Sequence, residues 1–446
     1  MPVFKDKQGL KITASSRETV KRMDDFTDAL LGFSLKAGGV ITIADEDPDC
    51  ILAQAYAAQL YASGETRALI RGAQKYQRRA EALAPSGTAR EQAIVATAGH
   101  WVRTERRAGA RILDQVLEEN PTDILSAKWA QALHYDTGNQ AGILRAPLRV
   151  ARACDDNAYL HGMLAFGYEE CHLLDQAEAS VLRAMDLNRV EPWAHHAMAH
   201  INEGRNHLEK GVSFMNDVSD TWQGLSSFML THNWWHLCLF LVDLGRGDEA
   251  LDIFDTIVWG IDRTCVQDQI NAISLLYRLE RTGVDVGARW QSVAENVAAN
   301  SADQVSVFLD FQFLYVLSRA NHPEGKAMEE RMMSRAETAA PDERIAWEKT
   351  ARVGAPGIRA LALGDYKKAA QHLGDTRVLL RHIGGSHAQR ELFTLFFIDA
   401  LRGAGEWGRV QQILVNRQRA RPQVSWLKSQ LNEAYHNLGL GEVAVP

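Results

Sequence analysis

The spacing of its apolar residues is the feature that most limits how this chain can fold. In stretches such as Ile51-Leu-Ala-Gln-Ala-Tyr56-Ala-Ala-Gln-Leu60, apolar residues return after three and four positions. This spacing places them on one face of an α-helix. Strong helix formers dominate long stretches, only 11 residues are proline, and no sustained alternation of apolar and polar residues indicates a strand. The sequence therefore predicts an all-α fold.

The predicted helices form pairs that fit a 34-residue tetratricopeptide period, in which small residues lie where two helices touch. One frame sets Ala177 and Ala184 at the two alanine positions of a second helix, and another sets Ala250 there. Such a pair cannot bury its own apolar face, so neighbouring pairs stack. We therefore predict an α-α superhelix (solenoid) of tetratricopeptide-like helical hairpins. The other residues that support these frames are Leu164, Ala165, Tyr168, Trp234, Leu237 and Phe254, together with the segments 113–121 and 357–369.

No linker rich in proline, glycine or serine divides the chain, and Pro341 marks the one weak boundary that we expect. The sequence thus predicts an N-terminal helical cap at residues 1–90 and repeats with a histidine cluster at residues 91–340. Helical repeats at residues 341–446 continue the same array.

Composition limits the partners and the compartment. The net charge of −7 arises from 56 acidic and 49 basic residues without a long run of one sign, which argues against nucleic acid as a partner. The polar N-terminus lacks a signal sequence, and no segment approaches ~18 consecutive apolar residues, so we expect no membrane contact. Five widely spaced cysteines predict free thiols in a reducing compartment, the cytoplasm. The sequence leaves a homo-oligomer open.

Two histidine pairs are the strongest indication of a functional site. His196 and His200 are four residues apart, as are His232 and His236. On a helix this spacing puts both rings of a pair on one face, and Glu203 falls on the same face as the first pair. Because the histidines do not belong to the repeat frames, we select these four residues and Glu203 as candidate catalytic groups.

The histidines admit three interpretations. They could bind a divalent metal, since a histidine-rich set with a carboxylate suits zinc, iron or nickel, and all four are candidate metal ligands. They could form a metal-free polar pocket with general acid-base groups. They could also be structural, hydrogen-bonded to backbone carbonyls beside tryptophans. Trp193, Asn233 and Trp235 are the adjacent candidate ligand-binding residues.

Two further clusters add candidates. The segment 159–170 provides Gly162, Phe166 and Tyr168 as ligand-binding candidates and Glu170 as a catalytic candidate, while Glu169 is expected to be exposed. The segment 384–390 predicts a turn that opens onto a helix, with Ser386 as the N-cap. Ser386 and Arg390 could bind an anion there, although helix capping alone would also explain the pattern.

At these same residues the chain resembles the tetratricopeptide repeat protein 38 family. The resemblance runs in the family's order from about residue 90 to residue 400, and its most specific element is His232-Asn233-Trp-Trp235-His236 with the upstream His-x3-His-x2-Glu. It implies a solenoid of tetratricopeptide-like helices and no particular reaction. The other matching stretches are Asn120 to Leu125, Gly162 to Glu178, Leu276 to Leu279, Arg289-Trp290 and Gly384 to Arg390.

Together these patterns favour a protein that binds a small molecule or peptide in a concave pocket lined by histidine, glutamate and tryptophan. Two alternatives stay open. One is an enzyme that uses the histidine cluster, with or without a divalent metal as cofactor. The other is a protein-protein scaffold, which would instead line its groove with outward-reaching asparagine, lysine and arginine.

Overall fold

The computed structural model describes residues 2–441 and confirms the all-α prediction. Residue 1 and residues 442–446 belong to the predicted N-terminal cap and C-terminal repeats and lie outside the described residues. The chain forms two compact units. The first unit comprises the chain up to Met198, Thr221–Leu230 and Ala340–Glu343, and the second comprises Ala199–Asp220, Thr231–Ala339 and the chain from Arg344 onward. The predicted division at residues 90 and 340 stays a prediction.

The first unit stacks helical hairpins in chain order. Helix α3 packs on α4, α5 on α6, α7 on α8 and α9 on α10, while α3 also contacts α5 and α7 contacts α9. This order of contacts is typical of an α-α superhelix. The helices are α1 (Arg17–Leu31), α2 (Gly39–Glu46), α3 (Ile51–Ala62), α4 (Arg67–Leu83), α5 (Ala89–Val102), α6 (Arg106–Glu119), α7 (Ile124–Asp136), α8 (Gln140–Val150), α9 (Ala158–Glu170), α10 (Leu174–Leu187) and the beginning of α11 (Pro192–Gly204), with short 3-10 turns at Leu35–Gly38, Ala84–Ser86 and Ser219–Trp222.

The second unit repeats this arrangement. Helix α17 contacts α15, α18 and α19, and α19 pairs with α20. The helices after α11 are α12 (Leu208–Val218), α13 (Ser227–Asp243, whose residues up to Leu230 belong to the first unit), α14 (Gly247–Ile253), α15 (Val266–Arg281), α16 (Arg289–Val297), α17 (Val307–Arg319), α18 (Glu324–Glu337), α19 (Arg352–Ala362), α20 (Tyr366–Thr376), α21 (His387–Gly403), α22 (Trp407–Ala420) and α23 (Ser425–Asn437), with π-helical segments at Phe254–Val258 and Ile345–Ala351 and 3-10 turns at Ala298–Asn300 and Arg377–Ile383.

A short β-hairpin, which the sequence patterns did not indicate, precedes α1. Strands β1 (Val3–Lys5) and β2 (Lys11–Thr13) pair antiparallel. The carboxylate of Glu91 in α5 accepts hydrogen bonds from the Thr13 amide at 2.7 Å and from the Thr13 hydroxyl at 2.9 Å. The hairpin is thereby attached to the first repeat helices.

The repeat frames are confirmed at their small residues. Ala177, Ala184 and Ala250 are 0% exposed, as expected where two helices approach closely. Gly364, in the turn between α19 and α20, has a φ of +80°, which glycine adopts without strain.

The state of the cysteines matches the prediction of free thiols. All five cysteines are free thiols, and Cys50, Cys154 and Cys238 are buried. Among the described residues, no helix is both long enough and apolar enough to cross a membrane.

Candidate functional site

Three of the predicted histidines lie together in the interior of the second unit. His232 and His236 lie one turn apart on α13, and His200 is on α11. The His236 ring centroid is 4.6 Å from that of His200 and 4.8 Å from that of His232. The three side chains, which we call the imidazole cluster, are only 1–2% exposed. His196 belongs to the first unit and is described with it below.

A chain of hydrogen bonds fixes the orientation of His232. Its Nδ1 lies 3.0 Å from Oδ1 of Asn271 on α15. The Asn271 amide donates to the Thr231 hydroxyl at 3.4 Å, and that hydroxyl donates to Asp268 at 2.8 Å. Because Asn271 Oδ1 can only accept, the proton of His232 is on Nδ1. Nε2 is then the acceptor nitrogen of the ring.

Trp235 and Arg278 pack beside the imidazole cluster. The Trp235 ring stacks on His232 at 5.0 Å and meets His236 edge-on at 4.8 Å. The Arg278 guanidinium lies 5.7 Å from the Trp235 ring centroid and donates to the carbonyl of Ala388 at 2.9 Å. These contacts hold the cluster in one arrangement.

Burial keeps the imidazole cluster neutral. Removal from water lowers the pKa of His232 to about 4, against the effect of the Asn271 hydrogen bond. Burial is also the main reason why the pKa values of His200 and His236 are far below their ordinary range, and the neighbouring histidine and arginine side chains lower them further. Neutral imidazole is the form that binds metals.

Asn233, another predicted ligand-binding residue, is an unusual polar group for a protein interior. Its side chain is 0% exposed, and neither Oδ1 nor Nδ2 has a hydrogen-bond partner among the described residues. A buried amide without partners costs about 1–3 kcal/mol by mutational measures. Folding alone gives no reason for an asparagine at this position.

Glu203 borders a narrow charged cavity of about 20 Å³ in the second unit, roughly the space of one water molecule. Arg421 lies between two carboxylates, 2.6 Å from Asp243 and 3.7 Å from Glu203. Burial raises the pKa of Glu203, and Arg421 opposes that effect. The cavity can hold an ion or a water molecule, and it is too small for a peptide side chain.

The first unit brings together Trp193, His196 and Phe166. The His196 ring stacks on Trp193 at 4.3 Å and lies 5.3 Å from Phe166, and Phe166 lies 4.8 Å from Trp193. His196 is 1% exposed. These three residues form an aromatic cluster within their own unit.

Beside Trp193 lies a lysine niche that the sequence analysis missed. The Lys128 ammonium is 4.2 Å from the ring centroids of both Phe33 and Trp193. The buried Glu191 accepts a hydrogen bond from the Trp193 amide at 3.1 Å. The only available signal was a lysine inside the otherwise uncharged stretch Ile124 to Gln131. We call Lys128, Phe33, Trp193 and Glu191 the lysine niche.

The remaining candidates of the first unit lie on α9. Gly162 faces Glu191, because a Cβ at Gly162 would lie 2.3 Å from the Glu191 Oε2. Tyr168 is partly buried, and Glu170 is 2% exposed. The expectation that Glu169 is exposed is wrong, since only 4% of it is exposed.

The turn at residues 384–390 acts as a helix cap. Ser386 is the N-cap of α21, as predicted, and closes a capping box with Gln389. The Arg390 guanidinium donates to the carbonyl of Gly385 and lies 3.4 Å from His387 Nδ1. The anion-binding role of Ser386 and Arg390 stays a prediction.

The stacked helical hairpins define the chain as a tetratricopeptide-like helical repeat protein. No family model matches the chain. Among solved structures it is similar to the human IFIT1 dimer with m7Gppp-AAAA, with 12% sequence identity and a TM-score of 0.45 over 96% of this chain and 93% of that chain. It is also similar to Naa15/Naa10 bound to HypK-THB, with 13% identity and a TM-score of 0.25 over 97% of this chain and 69% of that chain. These sequence identities and TM-scores give no information about function.

Proposed function

We propose that the chain is a binding protein of the tetratricopeptide repeat protein 38 type, and that its second unit holds an ion-sized ligand at His232 and His236. The first candidate for this ligand is a divalent cation. The observation that carries the proposal is the hydrogen bond from His232 Nδ1 to Asn271 at 3.0 Å. Metal-binding histidines commonly donate their other ring nitrogen to a fixed acceptor of this kind.

Geometry supports a cation at this pair. Each of the two rings offers a ligand nitrogen within 4.8 Å of the other. A pair one helical turn apart is a common bidentate arrangement for zinc, whose bonds to nitrogen are about 2.0–2.1 Å long. Because the side chains are only 1–2% exposed, a peptide cannot reach them in this conformation. The role of His196 as a further ligand stays a prediction from the sequence.

The test begins with elemental analysis and native mass spectrometry of the purified protein, followed by titration of the metal-depleted protein with Zn²⁺. His236→Gln removes one ligand and should abolish tight binding. Asn271→Ala leaves both imidazoles in place but removes the orienting acceptor, so it should weaken the affinity about 10- to 100-fold.

His134→Gln is the matched control. His134 is also buried, but its nitrogens contact Asp114 at 3.3 Å and Asn139 at 3.1 Å. We expect this variant to lose stability and to keep the Zn²⁺ affinity of the parent. The proposal is overturned if His236→Gln binds Zn²⁺ as tightly as the parent, or if the parent neither contains nor binds a divalent cation.

Cytoplasmic localisation belongs to the same proposal. Its support is that all five cysteines are free thiols, which suits a reducing compartment. Fractionation of cells that express the tagged full chain tests it, with recovery in a membrane or secreted fraction as the contrary result.

A further inference from the structure

Lys128 occupies a buried helix position at which an apolar residue would be expected. It lies on α7, in a stretch in which every residue from Ile124 to Gln131 is buried. Lysine is among the residues least often buried without a partner. An apolar side chain of similar length would fill the same space without desolvating a charge.

The surroundings of the Lys128 amine are aromatic. Its Nζ lies 4.2 Å from the ring centroids of Phe33 and Trp193, and these two centroids are 5.1 Å apart. Among the described residues, no carboxylate oxygen lies within the 4.0 Å of a salt bridge to this amine. The carboxylate of Glu191 instead accepts hydrogen bonds from the backbone amides of Trp193 and Ala194 at the beginning of α11. The amine is therefore held against rings without a direct ion pair.

The lysine niche is partly open to solvent. Lys128 keeps 9% of its surface exposed, and Phe33, Trp193 and Phe228 are all partly exposed. The Phe33 and Phe228 ring centroids are 6.4 Å apart, so partly exposed rings border the amine. An apolar or aromatic ligand would pack against such walls.

We propose that Lys128 is a nucleophilic amine that captures small aromatic or apolar aldehydes as an imine. The proposal concerns the first unit and is independent of the cation site. The nitrogen lone pair attacks the carbonyl carbon, and one proton moves from the nitrogen to the former carbonyl oxygen to give a carbinolamine. Loss of that hydroxyl as water, with loss of one proton from nitrogen, leaves the C=N bond. The sum is amine plus aldehyde to imine plus water.

Desolvation supports the nucleophilic form of the amine. Burial lowers the pKa of Lys128 to about 7, and the negative charge of Glu191 only partly opposes the effect. An ordinary lysine has a pKa of about 10.4, so near neutral pH a larger fraction of Lys128 than of an ordinary lysine is neutral amine. Desolvated lysines in apolar pockets are a known route to imine-forming nucleophiles.

The experiment uses benzaldehyde as the probe with the folded full chain. Limiting benzaldehyde and sodium cyanoborohydride at pH 7.5 convert each imine to a stable benzylamine, and peptide mapping by mass spectrometry gives the rate at each lysine. We expect Lys128 to be modified at least ~10-fold faster than Lys326, whose side chain is 73% exposed. The expected rate ratio combines two opposing effects. The larger fraction of neutral amine speeds the reaction at Lys128, and burial slows the approach of the aldehyde.

Two variants complete the test. Lys128→Met keeps an unbranched apolar chain and should remove the fast site while leaving the labelling of other lysines unchanged. Lys326→Met, the matched control, should leave the rate at Lys128 unchanged. The proposal is overturned if Lys128 reacts no faster than Lys326, or if labelling follows surface exposure. Because the rate is measured at each lysine in the wild-type chain, the comparison of the two lysines remains decisive even if Lys128→Met fails to fold.

Discussion

The space beside Gly162 is taken by the carboxylate of Glu191, which also caps the beginning of α11. A Cβ at this glycine would lie 2.3 Å from the Glu191 Oε2. Gly162→Ala should therefore displace the cap and lower the free energy of unfolding by about 1–3 kcal/mol, the usual cost of overpacking. Urea denaturation followed by circular dichroism measures the change.

Gly39→Ala is the control for that substitution. Gly39 begins α2, and a Cβ there would have no heavy atom within 4 Å. Alanine should be neutral or stabilise by up to about 1 kcal/mol through its helix propensity. Equal losses of stability in the two variants would refute the steric explanation.

Asp136 should make stability depend on pH. Burial and the charge of Glu65 raise the pKa of Asp136 to about 7, against the effect of Arg106. Between about pH 4 and 7 the folded protein thus holds a proton that the unfolded chain releases. The stabilising contribution is complete at low pH and is lost as the pH rises towards 7.

Asp136→Asn removes the carboxyl group that binds this proton. The unfolding free energy of the wild type minus that of Asp136→Asn should fall as the pH rises from 4 to 7. The slope should reach at most about 1.4 kcal/mol per pH unit, the value for one proton. Urea denaturation at a series of pH values measures it, and two parallel stability curves would contradict the prediction.

Single residues show where sequence patterns stop being informative. The spacing of His232 and His236 predicts that both lie on one helical face, because the helix itself sets that relation. Asn271 orients His232 from a position 39 residues further along the chain, and Phe33 contacts Lys128 from the turn that follows α1. Such contacts arise from the packing of distant segments, and no local pattern encodes them.

At the scale of elements, the repeat frame makes a prediction for α10. Ala177 is 0% exposed and Ala179, on the same helix, is exposed. Ala177→Leu should overpack the helix contact and lower the free energy of unfolding by about 1–3 kcal/mol. Ala179→Leu, which adds the same side chain on the outer face, should change it by less than about 0.5 kcal/mol. Equal effects in thermal or urea denaturation would show that the frame is misplaced.

Helices and strands differed in how well the sequence predicted them. The helices were predictable because their apolar spacing persists over several turns, and the N-cap at Ser386 was predictable from its local chemistry. The strands β1 and β2 were missed because three residues each are too few to show alternation. Their attachment through Glu91 depends on a residue 78 positions away.

At the scale of the whole molecule, the alkylation rate of one buried cysteine in each unit measures how often that unit opens. Cys154 belongs to the first unit and Cys238 to the second, and both are buried. In Ala177→Leu, alkylation of Cys154 by N-ethylmaleimide in mild denaturant should accelerate about 5-fold or more, because the destabilised unit opens more often. Alkylation of Cys238 should change less, as mass spectrometry of each peptide would show. Equal acceleration at both sites would contradict this prediction.

Cys171 and Cys265 are the two partly exposed cysteines, and this exposure affects how the purified protein ages. Burial raises the pKa of Cys265 to about 12. Burial and the negative charges of Glu170 and Glu169 also raise the pKa of Cys171, but less strongly, and the Cys171 thiol lies 3.6 Å from the carbonyl of Gln140. Air oxidation during storage should therefore be slow and should begin at this residue, joining two molecules through Cys171. A dimer that forms during storage and dissociates in dithiothreitol would then be a product of oxidation. Only an oligomer that persists in the reductant would be a non-covalent assembly of the protein.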